Sequence, residues 1–178
     1  SPFFFIAHAL APVFGYAADG YSFPYQLSLF LGGLMYSIAG FWFLRKVLLK
    51  YFSEIITSIS LLLIVAATNI PVHMAMYGQN AMSHNYLFAL YCMALWFTIQ
   101  WHETFRMKFI IYLGIVCGLA VLSRPTEIVI LAIPVFWNVF SWNSFKEKFN
   151  ILRKHYGQIF LFGAIVFSIG FLQLIYWK

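Results

Sequence analysis

Seven long apolar runs, joined by short polar connections, constrain this chain more than any other feature. They cover approximately residues 3–17, 25–44, 55–76, 86–101, 109–122, 128–142 and 159–177. A helix crossing a bilayer needs about 20 apolar residues, with a range of roughly 17–25. The second, third and seventh runs meet that length. The others need flanking polar residues to complete a span, and Pro12 interrupts the first. Only 9% of the residues are charged and 63% are hydrophobic, in a chain of 178 residues. A soluble domain carries about a quarter charged residues, so this chain could not clothe a water-facing surface. The expected fold is all-α: a single polytopic transmembrane helix bundle of about seven segments over residues 1–178.

The connections carry a strong charge asymmetry. If the first run passes from inside to outside, the second connection is cytoplasmic and holds Arg45, Lys46 and Lys50. The fourth holds Arg106 and Lys108, and the sixth holds Lys146, Lys148, Arg153 and Lys154. Nine of eleven basic residues then share one side, leaving Arg124 and Lys178 as exceptions. This is the pattern of the positive-inside rule. It puts the Arg45, Lys108 and Lys148 loops in the cytoplasm and the Asp19, His84 and Arg124 loops outside. The formal net charge of +6 therefore reports topology, and nucleic-acid binding is not expected. Residues 144–147 read as a capping box that opens a short amphipathic helix on the cytoplasmic surface and ends near His155. Gly114 and Gly118 form a small-xxx-small pair suited to close helix packing.

Cys92 and Cys117 each lie inside an apolar run and form no CxxC pair. The histidines show no HExxH or other paired spacing, so no metal site is expected. No P-loop, GxGxxG or GxSxG motif occurs. The chain opens with Ser1-Pro2, carries no signal-peptide pattern, and is expected to be an interior fragment of a longer membrane protein.

Chemistry is expected on the outer side. Ser123-Arg124-Pro125-Thr126-Glu127 puts two opposite charges where cations are otherwise avoided. Ionisable groups at a membrane boundary are costly unless paired, hydrated or used. Either Arg124 holds an anionic group such as a lipid phosphate, or Arg124 and Glu127 form a structural pair at a helix start opened by Pro125. Asp19 belongs to an Asp-Gly turn before Pro24; it either shapes that turn or offers a carboxylate to a polar substrate. His84 stands at the entry of the fourth run, as a hydrogen-bonding residue near the cap or as a donor to a phosphate or sugar oxygen. His73, near Asn69 and Pro71, and His8 read as packed histidines.

Taken in order, several stretches resemble bacterial polytopic glycosyltransferases of the GT-C superfamily, in the Bacteroidetes-type branch related to protein O-mannosyltransferases and aminoarabinose transferases. They are Pro2-Phe3-Phe4 through Ala7-His8, Asp19-Gly20-Tyr21-Ser22 with Pro24-Tyr25-Gln26, Ser83-His84-Asn85-Tyr86, and Gly118-Leu119 leading into Ser123-Arg124-Pro125-Thr126. The resemblance runs to about Trp142. It implies a multi-pass protein of the bacterial inner membrane that moves a sugar from a polyprenyl-phosphate donor to an unidentified acceptor on the extracytoplasmic face. The lipid-linked sugar would be the donor substrate, with no further cofactor identified and membrane lipid as the surrounding partner. The family's catalytic carboxylate is expected upstream of Ser1. Arg124 and His84 would support the leaving phosphate, and Asp19 and Glu127 would line the sugar or acceptor cavity. The alternatives are a transporter or flippase of lipid-linked sugars, with polar groups at mid-bilayer on broken helices, and a non-catalytic membrane subunit.

Overall fold

Twenty-six residues, with a proline only in the first turn, give the longest of the described helices, α2 (Phe23–Leu48). Ser22 enters it with extended backbone, and Pro24 sits in the first turn, where a missing N–H costs no hydrogen bond. Arg45 and Lys46 close it at the end of the helix dipole that favours cations. At 1.5 Å per residue α2 is about 39 Å long, more than the ~30 Å hydrocarbon layer of a bilayer. The computed structural model describes residues 2–68 and 83–176. Eight α-helices and two 3₁₀ segments are found among the described residues, with no strand. The chain is all-helical in that sense. They form two compact units, Ser1–Ala89 and Leu90–Lys178.

In the first unit, α1 (Pro2–Leu10) stops just before Pro12, which instead opens a 3₁₀ turn, Pro12–Phe14. Ala7, Ala11 and Tyr25 form a small buried core with Phe4 packed on it. α2 turns glycines toward its neighbours. A Cβ on Gly32 would lie 2.8 Å from the Phe3 ring, and one on Gly40 would lie 2.7 Å from the Phe88 ring. α3 (Glu54–Ala67) follows a tight turn. The Arg45–Glu54 ion pair across that turn is 2.7 Å long but exposed, and exposed pairs contribute roughly 0–1 kcal/mol. Asn69, Pro71, His73 and most of the connection at 77–85 lie outside the described residues.

The second unit takes in most of α4 (Ser83–Thr104), then α5 (Met107–Ser123), a 3₁₀ helix Pro125–Leu131, α6 (Ala132–Phe136), α7 (Trp142–Lys154) and α8 (Tyr156–Tyr176). α5 packs against α8 through small residues. A Cβ added to Gly114 would meet Ile165 at 3.2 Å, one on Gly118 would meet Ile169 at 2.9 Å, and one on Gly170 would meet Val121 at 3.2 Å. The small-xxx-small pair is thus used to bring two apolar helices close together. Ile110, Leu113, Cys117 and Ala120 fill the buried side of α5.

Two details differ from the sequence expectation. The capping box of α7 is Ser141 with Ser144, one turn before residues 144–147. Ser144 N–H donates to Ser141 Oγ at 3.2 Å, and Ser141 N–H donates to Ser144 Oγ at 2.8 Å. The far end of α7 falls at His155, as expected. The sixth apolar run is not one α-helix, because β-branched Ile128, Val129 and Ile130 wind as 3₁₀ and Pro134 sits within the short α6.

By length and composition, α2 is the one described helix able to cross a membrane by itself. α7 and α8 pass the same test together but are bent by 83°. α3, α5 and the stretch Pro125–Phe136 are shorter apolar helices. Large apolar side chains nonetheless point outward; Ile55 is 73% exposed on α3 and Phe160 is 80% exposed on α8.

Candidate functional site

The end of α5 is where the sequence concentrates opposite charge. Ser123 donates its hydroxyl back to Leu119 O at 2.8 Å, which ties it to its own helix. Arg124 then leaves helical geometry (φ −151°, ψ 122°), as a residue before proline prefers. Its N–H still reaches Ala120 O at 3.0 Å, and its carbonyl accepts from Glu127 N–H at 2.9 Å. Pro125 starts the 3₁₀ helix. These bonds leave Arg124 on the surface and turn Glu127 inward.

Tyr91 on α4 meets Glu127 there. Its hydroxyl donates to Glu127 Oε2 at 2.6 Å. The carboxylate is therefore held by a phenol 36 residues away, and the structural pair with Arg124, one of the two alternatives, is not formed. The guanidinium remains exposed at the end of the unit. Five N–H donors in a planar fork suit phosphate oxygens.

The other two sequence candidates lie in the first unit. Asp19 Oδ1 accepts from both Tyr21 N–H and Ser22 N–H at 2.9 Å. Those backbone donors, Tyr21 foremost, hold its carboxyl below the usual carboxylate range. Gly20 takes φ +83°, a left-handed conformation that suits the residue after Asp in this turn. Asp19 shapes the entry to α2, and Gln26 reinforces it by donating to Tyr21 O at 3.0 Å. His84 is exposed in the first turn of α4. His8 bonds the Tyr25 hydroxyl at 2.6 Å, consistent with a packed histidine.

A second polar cluster, which the sequence did not single out, occupies the opposite end of the second unit. Lys148 on α7 is only 5% exposed. Its ammonium donates to His102 Nε2 and to Trp137 O. His102 Nδ1 bonds Thr98 O at 2.8 Å, so the proton belongs on Nδ1 and the Nε2 lone pair faces the lysine. Burial pushes the Lys148 ammonium down to about 8. Beside it Trp101 Nε1 donates to Gln158 Oε1 at 2.6 Å, and Gln158 Nε2 donates to Phe105 O at 3.0 Å. The Phe105 ring stacks on His155 at 4.5 Å.

The two clusters lie far apart. Tyr91 and His102 are eleven positions apart on α4, about 16 Å of helix rise. The chain from Pro125 to Phe136 covers a comparable distance, since seven 3₁₀ residues and five α residues advance about 21 Å. It leaves Glu127 at the Tyr91 end and reaches Trp137 O at the Lys148 end. The chain matches no family model, and no curated protein or solved structure shows significant similarity to it.

Proposed function

We propose that this chain is part of a multi-spanning membrane glycosyltransferase that moves a sugar from a polyprenyl-phosphate donor to an acceptor on the extracytoplasmic side of a bacterial inner membrane. One observation carries this reading: Arg124 is left exposed at the end of its unit while the neighbouring carboxylate is drawn aside by Tyr91. A guanidinium kept clear of its nearest anion is suited to an incoming one. The outward apolar side chains support a lipid setting, since soluble monomers rarely expose apolar patches above a few hundred Å². The separation of Arg124 from the Arg106, Lys108 and Lys148 end, across the 17 residues of α5, agrees with opposite membrane sides. In that arrangement the stretch Pro125–Phe136, part 3₁₀ and part α, belongs to one of about seven segments of the bundle.

In the reaction, a general base takes the proton of the acceptor hydroxyl. The acceptor oxygen forms its bond to the anomeric carbon as the bond from that carbon to the phosphate oxygen breaks. The electron pair leaves on polyprenyl phosphate. Arg124 stabilises the charge that develops on that phosphate. Tyr91 keeps Glu127 from neutralising Arg124 and leaves its second oxygen to meet the sugar or acceptor. His84 and Asp19, both in the first unit, are each proposed to bind sugar or phosphate oxygens, Asp19 through the oxygen not used in its turn.

Arg124→Ala in the full-length enzyme should cut turnover of a polyprenyl-phosphate sugar about a hundredfold, the scale of losing one preorganised charge stabiliser, with expression intact. Near-normal turnover would remove Arg124 from the mechanism. A transporter of lipid-linked sugars is the second reading, drawing on the non-α backbone of Pro125–Leu131, because transporters build sites from broken helices. Movement of intact lipid-linked sugar across proteoliposomes, with no transfer to any acceptor, would select it.

A further inference from the structure

Beside the side that buries Lys148, α7 carries a surface that the reaction above does not use. Trp142 is 70% exposed and Phe149 is 60% exposed, with Phe145 beside them. At 100° per residue these three fall within about 60° of one another on the helix wheel. Lys146 and Arg153 continue the same side. Trp142 and Phe145 stack at 5.4 Å, and Lys146 Nζ lies 6.0 Å from the Trp142 ring. Together with Asn150, they line a shallow cavity of about 420 Å³.

Three independent observations fix what meets this face. First, Lys148 is locked inward by His102 and Trp137 O, which sets the rotation of α7 and leaves the aromatic side outward. Second, α7 meets the apolar α8 at 83°. If α8 runs along the bilayer normal, α7 lies in the plane of the surface. Third, the outward side combines aromatic rings with Lys146 and Arg153, and Lys154 with the single carboxylate Glu147 lies on its flank, about 120–140° from Trp142. This is the composition of a helix seated at a lipid interface.

We propose that the outward face of α7 docks on anionic phospholipid headgroups of the bilayer: Trp142, Phe145 and Phe149 enter the headgroup–acyl boundary, while Lys146, Arg153 and Lys154 engage lipid phosphates. The inference requires that the chain crosses a membrane and is independent of sugar transfer, so the two readings fail separately.

The test places the whole chain in phosphatidylcholine nanodiscs containing brominated phosphatidylglycerol or, at the same mole fraction, brominated phosphatidylcholine. The Trp142 signal is the difference between the chain and its Trp142→Phe variant. Brominated phosphatidylglycerol should quench Trp142 about threefold more than the neutral quencher, because each cation near an anionic surface adds attraction. The preference should vanish in ~1 M salt, where the Debye length is about 3 Å. It should also vanish in a Lys146→Gln/Arg153→Gln/Lys154→Gln variant, whose exposed positions leave folding intact and quenching by the neutral lipid unchanged. Equal quenching by both lipids in the unmodified chain would overturn the proposal. Quenching by neither would overturn it too, and a cross-linked dimer in that case would give the face to a second copy.

Discussion

The two units solve the same packing problem with different materials. In the first, polar side-chain bonds are mostly local: Asp19 bonds two and three residues away, and Gln26 bonds five residues back. His8 to Tyr25 spans 17 residues. In the second, side-chain bonds join residues 36, 46, 53 and 57 positions apart. They sit at both ends of an apolar middle. Where lipid competes equally for apolar contacts, helices are positioned by close small-residue packing and by polar bonds. The second unit uses both, with polar fixings at its two ends and the Gly114/Gly118 approach between them.

The glycines sharpen this contrast most. Gly118 faces the branched stem of Ile169 at 2.9 Å, whereas Gly32 faces an aromatic ring that can rotate. Gly118→Leu should therefore cost about 3 kcal/mol in unfolding from mixed micelles, and Gly118→Ala should cost more than Gly32→Ala. Equal costs for the two alanines would erase the distinction. Next comes Gln158→Leu, which orphans Trp101 Nε1 and Phe105 O and should cost about 2 kcal/mol; a neutral outcome would mean the end cluster contributes nothing to holding α8. Tyr91→Phe should lose about 1 kcal/mol of stability and, under the proposed sugar transfer, lower turnover by freeing Glu127 to approach Arg124. Stability lost with turnover unchanged would leave Tyr91 purely structural.

A pH dependence also separates the two units. Lys148 titrates near 8 in the fold, against an ordinary value of 10.5. Between those values the unfolded chain binds more protons, so stability rises with pH from about 8 to 10.5. Below 8 the cost of burying the ammonium against His102 is constant. Thermal melts in detergent should rise over that window, and Lys148→Met should flatten the rise. An unchanged slope in the variant would assign it to another group.

Much of the fold was legible because its signals are local. Pro12 ends α1, Asp19-Gly20 makes a turn, Gly114 and Gly118 mark a close helix approach, and α7 stops at His155. The seventh run gives α8, and the second gives the long helix α2. What escaped depends on tertiary partners. Ser141 and Ser144 are equally good caps by type, and the structure uses them together, each hydroxyl accepting from the other's backbone N–H, so that the box starts at the earlier one. Lys146 and Lys148 look alike in sequence, yet they stand about 200° apart on the helix wheel, so one faces outward and the other is buried. A phase count on α7 could have separated them. Tyr91 could not have been matched to Glu127 from spacing, because 36 residues and a helical turnaround separate them. The sixth run was read as one helix because apolar content does not distinguish 3₁₀ from α winding.

That winding has a mechanical consequence. Seven residues from Pro125 to Leu131 advance about 0.5 Å more per residue as 3₁₀ than as α-helix, some 3.5 Å in all. Rewinding them would shorten the tether between the guanidinium at one face and the Trp137 carbonyl at the other by that stroke, so a pull at either face would be felt at its opposite.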